Sequence, residues 1–159
     1  MAFNYREITK QDLPKWQALA APSFLERDFC DEAYFLKHWD KVKGWVLLTE
    51  KDEWIGCCFI DTKDHVYNPG GVHFLEAVIF PEFRNSIYGK YLIKIMFDNS
   101  VGFQKSACVS PENPNRLLEL LGLVGFKKAG MHRGWHVLIC DKDYYPERLK
   151  QLKIGGKGE

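Results

Sequence analysis

The sequence predicts an α/β protein of the α+β kind, with one mixed sheet of about seven strands flanked by about four helices. Three observations predict it. Segments with strand patterning and segments with helical period follow one another with no long linker, internal repeat or low-complexity stretch between them. A length of 159 residues suits one domain with a full core. Apolar residues at 46% and aromatics at 14% exceed what a disordered chain carries. The expected organisation is a single domain over residues 1–146, followed by a basic, Gly/Lys-rich and partly disordered tail over 147–159.

The elements follow in order. Tyr5 to Thr9 reads as a short first strand. Thr9 caps a helix from Lys10, with Asp12 in its first turn and Leu13, Trp16, Leu19 and Ala20 at helical spacing. Pro22-Ser23 ends it. Asp31 opens a second helix, with Tyr34, Phe35, His38 and Trp39 as its apolar face and Gly44 as its stop. Trp45 to Glu50 and Trp54 to Asp61 flank a short polar turn, which reads as a hairpin. Asn68-Pro69-Gly70-Gly71 is a turn, and Val72 to Phe80 is the next strand. Tyr88, Tyr91, Leu92, Ile95 and Met96 form the stripe of a third helix. Gln104 to Ser110 is a strand, and Arg116 to Leu121 a short helix whose end is bracketed by Gly122 and Gly125. Phe126 to Met131 and Trp135 to Asp141 are the last strands.

The totals exclude several function classes. A net charge of +1, from 22 basic and 21 acidic residues, gives no general electrostatic reason to bind nucleic acid or an anionic membrane. No apolar run reaches the roughly 20 residues a membrane span needs. The first residues, Met1 to Arg6, lack the apolar stretch of a signal peptide. The five cysteines, Cys30, Cys57, Cys58, Cys108 and Cys140, are odd in number and form no CxxC pair. They read as reduced thiols of a cytoplasmic protein, with Cys57 and Cys58 on opposite faces of a strand. His132 and His136 do not share a helical face and have no completing ligands nearby, so no metal is expected.

One stretch carries chemistry. From Glu76 to Lys90 an apolar run stops at Pro81, a short polar loop follows, and a helix begins. A helix start exposes unpaired N–H groups and the positive end of the helix dipole, which suits phosphate. The plainer alternative is an ordinary strand-to-helix turn with a solvated Arg84 and Lys90.

Three features together resemble the GNAT superfamily of acyl-CoA-dependent N-acyltransferases. The order of elements matches over nearly the whole chain. Val78-Ile79-Phe80-Pro81-Glu82-Phe83-Arg84-Asn85-Ser86-Ile87-Tyr88-Gly89 resembles that family's fourth strand and its Arg/Gln-x-x-Gly-x-Gly/Ala loop. Gly125-Phe126 resembles the "GF" pair that opens its sixth strand. The resemblance implies a mostly antiparallel central sheet, and transfer of an acetyl group from acetyl-CoA to a small-molecule or protein amine by direct attack. A homodimer is compatible with it. Two departures are visible. Ile87 stands where the first loop glycine is expected, and Leu120 or Leu121 stands where a tyrosine often serves as acid for the departing thiolate.

The implied site divides by role. Arg84, Asn85, Ser86, Ile87, Tyr88, Gly89 and Lys90 would hold the CoA diphosphate. Val78, Ile79 and Phe80 would pair through their backbone with the pantetheine arm, and Asn115 would meet the same arm. A bulge in that strand would free an N–H for the thioester oxygen. Glu76, a carboxylate within an apolar strand, is the leading base, since burial would raise its pKa towards neutrality. His73 is the second candidate base; on a regular strand it points to the opposite face from Glu76, and a bulge between them would change that. Ser110, Cys108, Tyr144 and water remain open as the acid. Trp16 and Trp39 serve either as core or as the wall of an acceptor pocket. The rival reading is a catalytically weakened GNAT-fold protein that works as a CoA-binding or protein-interaction module.

Overall fold

Seven strands form a single sheet in the order β1-β2-β3-β4-β5-β7-β6. In this computed structural model the described residues are 3–23, 32–63, 68–84, 86–111 and 117–155. The strands are β1 (Asn4–Glu7), β2 (Val42–Leu48), β3 (Trp54–Asp61), β4 (Val72–Ile79), β5 (Lys105–Val109), β6 (Lys127–His132) and β7 (Trp135–Cys140). Every neighbouring pair is antiparallel except β4 and β5, which run parallel and are joined through a helix, as a parallel crossover requires.

The helices are α1 (Leu13–Ala20), α2 (Glu32–Lys37), α3 (Ser86–Asp98), α4 (Leu117–Leu123) and α5 (Glu147–Lys150). They divide the hydrophobic interior into two layers. Leu92, Ile95, Met96 and Phe97 of α3, with Leu121 of α4 and Leu149 of α5, pack on one face of the sheet. Leu13, Trp16 and Ala20 of α1, with Phe35 of α2, pack on the other. β3 serves both layers, and its side chains are buried from Trp54 to Ile60.

Local chemistry sets the element ends. A single 3-10 turn, Lys10–Asp12, precedes α1. The Asp12 carboxylate accepts from the Thr9 backbone N–H at 2.8 Å and is clamped by the Arg6 guanidinium at 2.8 and 3.1 Å. α4 ends in a left-handed turn at Gly125, where φ is +99°. A Cβ at that position would run into the Tyr144 ring. The next residue, Phe126, is buried against Phe74 and Phe97, with ring centroids 5.5 and 6.0 Å apart. Both residues of the Gly-Phe pair therefore have a structural reason.

Three expectations are corrected. Gly44 lies inside β2 and does not close α2; a Cβ there would strike the Phe59 ring across the hairpin. The segment beyond residue 146 is not a loose tail over its described part. It forms the fifth helix, buries Leu149 at 1% exposure, and returns to the sheet edge, where the Gly155 N–H donates to the Phe3 carbonyl at 2.9 Å. The strand and helix ends otherwise shift by a few residues; β1, for example, is Asn4–Glu7.

Candidate active site

β4 and β5 pair only through Val72↔Lys105, His73↔Ser106 and Phe74↔Ala107. Beyond Phe74 the two strands part, and no described strand pairs with that edge of β4. The opening is a cleft of about 310 Å³ lined by β4 from Phe74 to Ala77, by Ala107, Cys108 and Val109 of β5, and by side chains of α3 and α4.

The register between β3 and β4 slips at the point where β4 leaves β5. Phe59 faces Glu76 and Ile60 faces Phe74, so Leu75 is an extra residue on β4. Such a bulge turns the strand and leaves a backbone group outside the ladder. It also changes which way the candidate bases point. Phe74 and Ala77 pack in the α3 layer, whereas Leu75 and Val78 pack in the α1–α2 layer. Glu76 pairs with Phe59, itself in the α1–α2 layer. His73 and Glu76 therefore share a face, contrary to the regular-strand expectation.

Glu76 keeps some exposure as a residue, but its Oε1 is closed off from solvent and has no hydrogen-bond partner in the protein. Burial pushes its carboxyl well above the ordinary carboxylate range; the Trp16 indole N–H acts weakly the other way. The two groups are near neighbours without hydrogen-bond alignment, since Trp16 Nε1 is also unpartnered. Trp16 is fully buried, so it belongs to the core and supplies a dipole to Glu76. His73 is buried and shares a hydrogen bond of 2.8 Å between its Nδ1 and Ser106 Oγ.

The remaining proposed site residues lie outside the lining of the cleft. Val78 and Phe80 bury their side chains in the α1–α2 layer and Ile79 packs on the α3 layer, which leaves only their backbone for a ligand. The Arg84 guanidinium donates to the Ile79 carbonyl at 3.2 Å. α3 begins at Ser86, with Ile87 exposed at 45% and Lys90 exposed. Tyr88 packs edge-on against Phe3 and Phe83. Gly89 faces open space: an added Cβ would meet only Leu120 Cδ2, at 3.7 Å. Asn85 and Asn115 lie outside the described residues.

Solved structures match this architecture closely. A chimera of the Vibrio cholerae spermidine N-acetyltransferase SpeG and hSSAT superposes with a TM-score of 0.69 over 96% of this chain and 100% of that one, at 16% identity. The chain has the GNAT fold. The dodecameric SpeG of Vibrio cholerae, in an intermediate state, gives 0.64 over 86% of this chain and 91% of that one, at 18% identity. SpeG in complex with manganese ions gives 0.64 over 87% and 91%, also at 18%. No protein-family model matches the sequence, and no curated protein matches it.

Within the GNAT fold, β4 leaves β5 after Phe74 and bulges at Leu75, ahead of the Val78–Phe80 stretch that the sequence assigned to the pantetheine arm. Among the described residues no group of three or more His, Cys, Asp or Glu side chains is arranged to hold a metal. No described helix is long and apolar enough to cross a membrane. Of the candidate acids, Cys108 lines the cleft, with burial raising its thiol pKa, and Tyr144 lies over Gly125. Sequence reasoning missed Ser106. A lone serine in a short strand carries no signal until its cross-strand neighbour is known.

Proposed function

We propose that this chain is an acyl-CoA-dependent N-acetyltransferase that moves an acetyl group from acetyl-CoA to an amine. The observation that carries the reading is the coincidence of three features: the parting of β4 from β5, the bulge at Leu75, and a dry carboxyl at Glu76 on the adjoining residue. The pantetheine arm would lie along the unpaired edge of β4. Its diphosphate would meet the N–H groups at the start of α3, beside Gly89, where packing within the chain makes no demand for glycine.

Residues of this chain would then divide the work. Glu76 takes the proton from the attacking amine, a task suited to a carboxyl that burial lifts above the ordinary carboxylate range. The bulge offers a backbone donor to the thioester oxygen as negative charge grows there. The amine attacks the carbonyl carbon, the C–S bond breaks, and CoA leaves as its thiol. The four described cysteines are free thiols, which fits a cytoplasmic setting. The acceptor is a small-molecule or protein amine reached from the α1–α2 side, where Glu76 points.

A specific observation favours a second reading. Leu121 is buried at 2% and Leu120 packs on the same core, so this part of α4 holds no hydroxyl for the leaving sulfur. The protein would then bind CoA without turnover. Calorimetry with acetyl-CoA, combined with thiol-release assays over a panel of amines, separates the two. Binding with thiol release supports the enzyme. Binding without release with any amine supports the module. No binding at millimolar acetyl-CoA overturns both.

A further inference from the structure

We propose that the buried His73–Ser106 pair is a positioning device for Glu76: it fixes the point where β4 leaves β5, and so keeps the bulge at Leu75 and the face to which Glu76 points. This inference rests on Glu76 being the base of the proposed reaction. Three observations lead to it.

The first is place. His73 and Ser106 are partners in the β4–β5 ladder, one rung before its last, and their side chains add a second link of 2.8 Å between the strands. The second is dependence. A strand has a side-chain period of two, so a slip by one residue sends every side chain to the other face. The bulge between His73 and Glu76 is such a register change, held in place. Beyond it, the Phe80 N–H donates to the Ile55 carbonyl at 2.9 Å and anchors the far end of β4 to β3. On the near side, His73–Ser106 is a side-chain anchor to β5. The third is the state of Glu76 itself. Its Oε1 is buried without a protein partner, so no bond at that atom orients the carboxyl, and the register of β4 sets the face it points to.

The pair is also a costly way to fill the space. His73 is exposed at 4% and Ser106 at 0%, and an apolar pair would avoid desolvating two polar groups. A directional bond specifies register where a greasy contact tolerates sliding.

The test uses the full chain with Ser106→Ala, His73→Leu and His73→Asn. Asparagine keeps a hydrogen-bonding group near the position of Nδ1 but does not titrate. Two readouts are taken: kcat and KM for acetyl-CoA, and the titration of the Glu76 carboxyl followed by carbon NMR. Ser106→Ala and His73→Leu are expected to lower kcat by about 10- to 100-fold, with KM for acetyl-CoA changed less than about threefold. They should also return the Glu76 titration towards the ordinary carboxylate range. His73→Asn should be less impaired than His73→Leu and keep both limbs of the pH profile. The proposal is overturned if Ser106→Ala leaves both kcat and the Glu76 titration unchanged. It is equally overturned if His73→Asn is as impaired as His73→Leu and loses one limb of the pH profile, because His73 would then carry the proton itself. If the parent chain transfers no acetyl group, the enzymatic reading fails. The Glu76 titration in Ser106→Ala still decides whether the pair positions that carboxyl.

Discussion

Trp16 and Glu76 are buried beside each other between α1 and β4, the indole N–H close enough to favour the carboxylate yet not aligned to bond it. A carboxyl in that position holds its proton far above its ordinary value near 4.5. The native state thus keeps a proton that the unfolded chain has already lost. Stability from this group is greatest at low pH and declines as pH rises from about 4.5 through the raised value.

Replacing Glu76 by Gln tests both consequences. The amide is neutral at every pH, so thermal unfolding of Glu76→Gln should lack this part of the parent's decline as pH rises above about 4.5. The same change removes the proposed base and should lower kcat by at least ~10²-fold. Melting curves across pH and a thiol-release assay check the pair of outcomes.

Ile87 offers a prediction with opposite signs for stability and binding. It lies in the first turn of α3 without positive φ, so it carries no backbone strain. Changing Ile87 to Gly should cost up to about 1 kcal/mol of stability through lost helix propensity. It should also tighten CoA binding, because a backbone without Cβ admits closer approach of a phosphate. A urea melt and a calorimetric titration on one sample would show the two effects moving apart.

The Asp12 carboxylate gains from Arg6 first, with Thr9 adding backbone and hydroxyl bonds, and its pKa is lowered. Its folded value lies below the unfolded one, so its contribution is present at neutral pH and lost as pH falls through the lowered value. Arg6 is 43% exposed and screened by solvent, which limits the pair. Asp12→Asn should therefore cost only about 1 kcal/mol at pH 7, chiefly through the lost charge pair with Arg6, and less at an acid pH below the lowered value. Chemical denaturation at the two pH values measures the difference.

Removing residues 147–159 tests whether the C-terminal segment is part of the domain. Leu149 is buried at 1%, and Leu152 and Ile154 pack on the same core. Loss of Leu149 alone should cost about 2–4 kcal/mol. A truncation that leaves the urea midpoint unchanged would show that this packing contributes nothing.

That segment also illustrates what a sequence makes legible. The order of strands and helices was readable from local signals: near-continuous apolar, β-rich runs in β2 and β3 on either side of a polar turn, and the Tyr88–Met96 stripe along α3. The start of α3 after Pro81 was readable for the same local reason. Leu149, Leu152 and Ile154 sit among lysines and glycines, in a span too short to show a period, so their burial became visible only with the β1 edge in place. Gly44 was misread because a glycine that stops a helix and a glycine that makes room for Phe59 are the same letter. The bulge at Leu75 is a relation between two strands, and no single segment encodes it. The partnership of His73 with Ser106, 33 residues apart, was hidden for that reason too.

Cys57 and Cys58 are adjacent on β3, yet one is enclosed in the α1–α2 layer and the other in the α3 layer. The molecule thus carries a natural chemical label for each half. A thiol reagent reaches Cys57 only when α1 and α2 lift away, and Cys58 only when α3 does. The ratio of their modification rates reports whether the two halves open together or in turn. The opening of the two layers can be followed separately in the same chain.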